Sequence, residues 1–346
     1  MKIEKVIITD VIEKQLQLCL NELQFTKTAV LVDENTWADC YPLIKNTLPD
    51  HHLIQIKSGE EFKTIDTCNH IWQELTKEAF DRKGLLINLG GGVIGDMGGF
   101  TARTYKRGIQ FINIPTTLLA QVDASIGGKL GIDFNGLKNH IGLFSEPDKV
   151  IIDPVFLKTL PQDELTSGFA EVIKHNLIAD ADNWRILKKQ TFSKIDWLKT
   201  IEHSVGIKKR VVENDPLEAG HRKILNFGHT IGHAVESFKM TNGQRILHGE
   251  AVALGMISES FLSYKKGFIA LEDLTSIENY IDSYFSRVQI AHEEIKKILG
   301  LINQDKKNEG MKIQAALLDG VGRAKWDVEL TPDDAESSLL YYLGYT

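Results

Sequence analysis

Cysteine is scarce: the 346 residues hold three, Cys19, Cys40 and Cys68. An odd number with no CxxC spacing excludes a disulfide framework and reads as reduced thiols of a cytoplasmic protein. Long apolar runs are missing too, since none approaches the ~20 residues that a membrane-spanning helix requires. The opening MKIEKVIITD has neither an apolar stretch nor a small-residue cleavage site, so no secretory signal is expected there. A basic excess is absent: 40 Lys and Arg against 47 Asp and Glu leave a net charge of −7. That sign excludes a dedicated nucleic-acid binder, which needs a basic stripe for the phosphates. The rest of the composition, 42% hydrophobic and 25% charged, is ordinary for a globular chain. At this length two domains are expected.

What is present changes in texture along the chain. Short apolar runs occur at Ala29–Val32, His52–Ile56, Leu85–Leu89, Gln110–Ile114 and Val150–Ile152. A helical period over 65–80 lies among them, and strands alternating with helices predict parallel βαβ units. After about residue 155 helical periods dominate, at 161–179, 182–212, 223–239, 248–264 and 273–299, and alternation returns only near Lys312–Leu318. The expected organisation is an α/β nucleotide-binding, Rossmann-like domain over 1–155 and a mostly helical domain over 156–346. Residues 119–145 are rich in glycine and polar side chains and read as a long functional loop.

The glycine cluster Gly90-Gly91-Gly92-Val93-Ile94-Gly95-Asp96 satisfies G-x-G-x-x-G, follows an apolar run and opens a helical stretch. Glycines there let the backbone approach a pyrophosphate at a helix N-terminus. The motif lies far from the first strand, and no acidic residue ends the run Gln110–Ile114. Asp33 is the available ribose partner, and a plain strand–helix turn is the competing reading. Gly127-Gly128-Lys129 does not complete a P-loop, because no Ser or Thr follows it.

His229 and His233 stand one helical turn apart and so share a face. A metalloprotease would need Glu at 230, where Thr230 stands. His248 opens the next helical period, and Glu171 lies among small and apolar residues of another. Two histidines from neighbouring helices and one carboxylate suit an open catalytic zinc site. The alternative is that Glu171 pairs with Lys174 on its own helix and the histidines are satisfied core groups. Cations gather in the same segments: Lys129, Lys138, Lys174, Lys208 and Arg222. They suggest a small anionic substrate, although most single lysines, Lys208 included, are ordinarily solvated.

Several segments together resemble the 3-dehydroquinate synthases of the sugar-phosphate cyclase superfamily. They are SGEEFK (58–63), GGGVIGDMGGF (90–100), RGI (107–109), PTTLLAQVDASIGGK (115–129) and GLKNHIG (136–142). The series continues with LPQDELTSGFAEVIK (160–174), EAGHRKILNFGHTIGH (218–233), LHGEAVA (247–253) and DKKN (305–308). Departures lie at Ala124, at Leu130 and in the stretch Gly142–Pro147.

The resemblance implies conversion of 3-deoxy-D-arabino-heptulosonate 7-phosphate to 3-dehydroquinate and phosphate, with NAD reduced and regenerated in each turnover. It also implies a divalent metal (Zn²⁺, with Co²⁺ able to replace it) and a cytoplasmic homodimer that binds neither nucleic acid nor membrane. The implied metal ligands are Glu171, His229 and His248. Implied NAD contacts are Asp33, Glu60, Lys63, Gly91, Gly92, Val93, Asp96, Thr116, Thr117, Lys138, Phe156, Leu157, Lys158 and Thr159. Implied substrate contacts are Asp123, Lys129, Asn139, Lys174, Lys208, Arg222, Asn226, His233 and Lys306, with Arg107 lent by the neighbouring subunit. Glu218 and His233 fall where proton transfer is placed, and Lys129, Lys174 and Arg222 complete the expected catalytic set. Another sugar-phosphate cyclase, or a metal-dependent polyol dehydrogenase with net NAD reduction, are the competing activities. Arg222, Asn226 and His233 disfavour the first, and the many substrate cations disfavour the second.

Overall fold

The protein is described by a computed structural model covering residues 5–135, 137–307 and 313–345. Two compact units divide the chain: Met1–Leu165 with Asp196–Val205, and Thr166–Ile195 with Gly206–Thr346.

The strands of the first unit are β1 (Val6–Ile8), β2 (Thr28–Asp33), β3 (His51–Ile56), β4 (Leu85–Gly90), β5 (Gln110–Pro115), β6 (Lys129–Phe134), β7 (Leu137–Phe144) and β8 (Lys149–Ile152). Six of them form one sheet in the order β1-β8-β5-β4-β2-β3, with every neighbouring pair parallel. Both faces are buried, which is why these strands read as continuous apolar runs. Successive side chains alternate between the faces. Leu31, Ile54, Leu86 and Phe111 join one core with Cys68, Ile71 and Leu75 of the helix Ile65–Lys77. Val30, Val32, Ile87 and Ile112 join the other with Leu16 and Cys19 of the helix Ile12–Glu22.

Residues 119–145 correct one expectation. The stretch is not an open loop: after a π turn over Ala120–Ala124, β6 and β7 pair as an antiparallel hairpin. Most of β7 is exposed, so no buried alternation marks it in the sequence.

The second unit is mostly helical, with an antiparallel pair, β9 (Ile313–Leu318) and β10 (Ala324–Leu330). The periods at 161–179 and 248–264 are the helices Gln162–Ala179 and His248–Lys265. Three other periods are broken. The stretch 182–212 divides into Ala181–Leu187 and Trp197–Asn214, and 273–299 divides into Leu271–Asp282 and His292–Lys307. The period at 223–239 begins as a 3₁₀ turn, His221–Asn226, and the α-helix starts only at His229.

Three helices of this unit approach backbone to backbone at glycines. A Cβ on Gly255 would lie 1.8 Å from the Gly228 carbonyl oxygen, and one on Gly249 would lie 2.1 Å from that of Ser167. No other residue fits at either point. The Ser167 hydroxyl also accepts the Gly249 N–H at 2.9 Å, closing the first turn of the helix that His248 opens. These contacts bring together the helices bearing Glu171, His229 and His248.

Candidate functional site

Glu171 has no solvent exposure, and Lys174, one turn along the same helix, forms an ion pair with it. Nε2 of His229 lies 3.7 Å from Glu171 Oε1, and Nε2 of His248 lies 3.5 Å from the same oxygen. The ligating atoms of His229, His233 and His248 all fall within 4.8 Å of one another. Both readings of Glu171 are therefore present: it pairs with Lys174, and the imidazoles converge on it.

The far side of each ring also meets an acceptor. His229 Nδ1 lies 3.1 Å from the Phe227 carbonyl oxygen, so Nδ1–H donates there and Nε2 keeps a lone pair. His248 Nδ1 faces the Glu236 carboxylate at 3.6 Å. An acceptor behind each ring is the arrangement that orients metal-ligating histidines. The spacing suits the same role. Two ligands about 2.0–2.1 Å from a tetrahedral metal stand roughly 3.3–3.4 Å apart, close to the 3.5 and 3.7 Å observed. One carboxylate and two imidazoles are thus a fitting donor set for Zn²⁺ or Co²⁺.

Charge at the site is divided unequally. Burial, reinforced by the Lys174 ammonium, holds the His229 pKa well below the ordinary imidazole value. Burial also opposes a charged His248, but hydrogen bonding to Glu171 and Glu236 outweighs it and pushes that pKa up to about 9.

The expected substrate and proton-transfer residues of the second unit fall on neighbouring segments. Asn226 donates its side-chain amide to Glu218 Oε1 at 2.9 Å. Arg222 is buried and donates Nη1–H to the Pro216 carbonyl at 2.7 Å. Asp215 ties this turn together by accepting the N–H groups of Ala219, Gly220 and Arg222 at 2.9, 2.7 and 3.0 Å. Lys208 is buried rather than solvated. His233 is exposed beside His229, with ring centroids 4.7 Å apart. The side chain of Lys306 lies outside the described residues.

In the first unit the glycine cluster behaves as its motif requires. Gly91 is the N-cap of the helix Gly92–Thr104, directly after β4. Gly90, Gly91, Gly92, Asp96, Asn113 and Ala124 line a cleft at the carboxyl ends of β4 and β5, where parallel sheets bind nucleotides. Thr116 donates its N–H to the Gly90 carbonyl at 3.1 Å, and Thr117 lies against Gly91.

Lys63 is buried, its ammonium donating to Asp96 at 2.7 Å and to the Asn139 side-chain oxygen at 2.6 Å. Burial works against its charge, but Asp96 and Glu60 raise its pKa overall. Asp33 caps the helix Glu34–Asp39 by accepting the Thr36 N–H at 2.7 Å. Phe156 and Leu157 are buried, Phe156 in the core with Val30, Ile87 and Ile112, so only its backbone could meet a ligand. Lys158 and Thr159 are exposed, as are Lys129, Asn139 and Arg107, while Glu60, Val93, Asp123 and Lys138 are half-buried.

Two carboxylates packed behind the candidate ligands have no counterpart in the reading of the sequence. Glu236 lies one turn beyond His233 on the same helix face, a spacing that could have revealed it. Glu259, taken up below, had no local signal.

Comparison with known proteins follows the same division. Residues 53–167 match the family described as 3-dehydroquinate synthase N-terminal, and residues 168–308 match 3-dehydroquinate synthase C-terminal. The 3-dehydroquinate synthase of Parabacteroides distasonis is 41% identical over 346 residues, covering 98% of each chain. The chain belongs to the 3-dehydroquinate synthase family.

Its fold is shared with 2-epi-5-epi-valiolone synthase from Streptomyces hygroscopicus, solved with NAD⁺ and Zn²⁺ bound. That likeness has a TM-score of 0.88 at 23% identity and covers 100% of this chain and 98% of the other. A 2-deoxy-scyllo-inosose synthase complexed with carbaglucose-6-phosphate, NAD⁺ and Co²⁺ follows at 0.82 and 22%, covering 96% and 95%. At these identities the structural likeness shows the fold, and the family rests on the sequence matches.

Proposed function

We propose that this member of the family is a phosphate-eliminating lyase that converts 3-deoxy-D-arabino-heptulosonate 7-phosphate to 3-dehydroquinate and phosphate. The observation that carries the reading is the convergence of both imidazole Nε2 atoms on Glu171, each ring backed by an acceptor at Nδ1. Glu171, His229 and His248 would hold a divalent metal, Zn²⁺ or Co²⁺. When bound, the metal supplies Lewis acidity toward a substrate hydroxyl and NAD accepts a hydride that it returns in the same turnover. The NAD and the metal named in the cyclase structures above support both cofactors.

The chain's own groups take the remaining roles. Lys174 sets its ammonium against the buried Glu171 carboxylate. Glu218, oriented by Asn226, and His233 move protons. Arg222 offers a planar guanidinium that can hold a carboxylate or phosphate through paired hydrogen bonds. Lys129, Lys208 and Asn139, with Asp123, complete the contacts to the sugar phosphate. Gly91 and Gly92 present backbone at the nucleotide cleft. Lys63 joins Asp96 to Asn139, so it shapes that cleft whatever it donates to the nucleotide. Holding both reacting ends of the substrate together can contribute ~7–11 kcal/mol toward ring closure. The protein acts as a homodimer in the cytoplasm, consistent with three unpaired, buried cysteines. No helix among the described residues is long and apolar enough to cross a membrane.

The test is direct. Purified protein with NAD⁺, Zn²⁺ and the heptulosonate phosphate is expected to release phosphate and 3-dehydroquinate in equal amounts, with no lasting NADH. NADH accumulating in step with substrate loss would establish the dehydrogenase activity instead.

A further inference from the structure

We propose that Glu259 is a positioning residue of the metal centre, fixing the first turn of the helix that carries His229 and His233. The proposal rests on reading Glu171, His229 and His248 as metal ligands.

That helix, His229–Thr241, begins without a side-chain cap of its own. Its N-cap is Gly228, at φ +84. The N–H groups of a first helical turn have no partner within the helix. Here two of the N–H groups at this end are met from the neighbouring helix. Glu259 Oε2 accepts the Gly228 N–H at 2.6 Å, and Glu259 Oε1 accepts the Ile231 N–H at 3.1 Å. Glu259 itself has no solvent exposure.

The same helix, His248–Lys265, opens on the ligand His248. Eleven residues separate His248 from Glu259 (259 − 248), close to three full turns, so both project from about the same face. One helix thus supplies one ligand and holds the helix that supplies another. The close approach of Gly255 to the Gly228 carbonyl sets the spacing of the two backbones. The two oxygens of Glu259 set the rotation.

Rotation matters more than spacing for ligation. A side-chain tip lies about 6 Å from a helix axis, so turning the helix by about 10° moves that tip roughly 1 Å. Metal–ligand distances tolerate only about ±0.2 Å. A single hydroxyl cap would satisfy one N–H and leave that rotation open. Two carboxylate oxygens engaged at Gly228 and Ile231 bracket His229 and close it.

Glu259→Gln and Glu259→Asp test this on metal-free full-length protein. Zn²⁺ affinity is read by competition with a chromophoric chelator, and a thermal melt of the metal-free protein is run beside it. Glu259→Gln keeps the length but turns an N–H₂ toward a donor, and is expected to weaken Zn²⁺ binding ~10–100-fold, as loss of an outer support does. Glu259→Asp keeps both carboxyl oxygens one methylene short and is expected to fall between it and wild type. A lower melting temperature with Zn²⁺ affinity within twofold of wild type in both variants overturns the proposal. So does failure of both to give folded protein, which would make Glu259 a residue of the fold alone. Glu171→Gln in the same titration separates the two levels. If it binds Zn²⁺ as wild type does, or wild type binds none, the ligand assignment fails and the proposal with it. If Glu171→Gln is weakened while the Glu259 variants are not, only the role of Glu259 fails.

Discussion

Asn226 donates its side-chain amide to Glu218 Oε1 at 2.9 Å, and Glu218 accepts it from a left-handed backbone, φ +61. A non-glycine residue held there costs on the order of 1–3 kcal/mol and persists where the surroundings over-determine it. Asp215 does so by gathering the N–H groups of Ala219, Gly220 and Arg222. Glu218→Gln keeps an oxygen for Asn226 and removes only the proton-carrying group. It is expected to leave the melting temperature within about 2 °C of wild type, as a change of under ~0.5 kcal/mol would. The expected loss in kcat is ~10²–10⁴-fold, the usual contribution of a positioned acid or base. A melt and steady-state kinetics on one preparation check both, and an unchanged kcat would remove Glu218 from proton transfer.

Metal removal gives the second prediction. Dialysis against a strong chelator is expected to abolish turnover, and added Zn²⁺ or Co²⁺ to restore it. Loading should also stabilise the folded protein, by about 2.7 kcal/mol when free metal is one hundred times its dissociation constant. A thermal melt with and without metal reads this independently of activity. Full turnover in protein shown to be metal-free would sink the assignment of Glu171, His229 and His248.

The sheet was legible because parallel strands are buried on both sides, and runs such as Leu85–Leu89 need no partner to be recognised. The hairpin of β6 and β7 was not, because its outward residues and glycines carry no buried period. Helix breaks were hidden for a different reason. Apolar spacing continues across the gap between Leu187 and Trp197, so the period alone does not reveal the interruption. At the site, residue type and helical spacing marked Glu171 and the three histidines as a group, and the resemblance singled out Glu171, His229 and His248 among them. Glu259 was not legible: a carboxylate inside a helix of small residues is visible only when the partner backbone, drawn close at Gly228, is seen. Asp33 illustrates the converse, since a strand-ending acid that suits a ribose also suits a helix cap.

Arg222 gives the third prediction. It is buried, its own N–H is held by Asp215 and one guanidinium N–H goes to the Pro216 carbonyl. A planar guanidinium held in place in this way suits a carboxylate or phosphate. Arg222→Ala is expected to lower kcat/KM by the equivalent of ~2–4 kcal/mol, as deletion of a preorganised donor does. Arg222→Lys should recover little, since an ammonium cannot make two parallel hydrogen bonds. Kinetics within about threefold of wild type, under ~0.7 kcal/mol, would show that Arg222 supports the turn alone.

The thiols give a pH-dependent prediction. Burial is the leading cause that raises all three, and it pushes Cys40 and Cys68 up to about 12. A thiol with a raised pKa stays neutral until the pH nears that value, and only the thiolate is alkylated. At pH 8, a pKa near 12 leaves a thiolate fraction on the order of 10⁻⁴. Iodoacetamide at pH 8 should therefore leave native protein unlabelled while denatured protein takes up three equivalents. Mass spectrometry checks this, and native labelling of Cys40 or Cys68 at the rate of a free thiol would contradict the packing around them.

Arg107 gives the prediction that reaches beyond one chain. It follows Lys106 in a turn where both residues have positive φ, +69 and +50, before Gly108 at +113. Two successive left-handed non-glycine residues are strained, and such strain concentrates at working positions. The Lys106 ammonium anchors the turn by donating to the Phe80 carbonyl at 2.5 Å, while the Arg107 side chain is exposed. A strained turn that presents a guanidinium outward suits an arginine lent to a neighbouring subunit. Arg107→Ala and Glu171→Ala should then each be inactive alone, one lacking the lent arginine and the other a metal ligand. Mixed in equal amounts with subunit exchange, half the dimers pair one of each. In such a dimer the Arg107→Ala subunit keeps Glu171 and receives an intact arginine from its partner, so one site in two is whole. Activity should return to about a quarter of wild type if the dimer is symmetric and exchanges at random. If Arg107 serves its own subunit, no mixed dimer holds a complete site and the mixture stays as inactive as its parents.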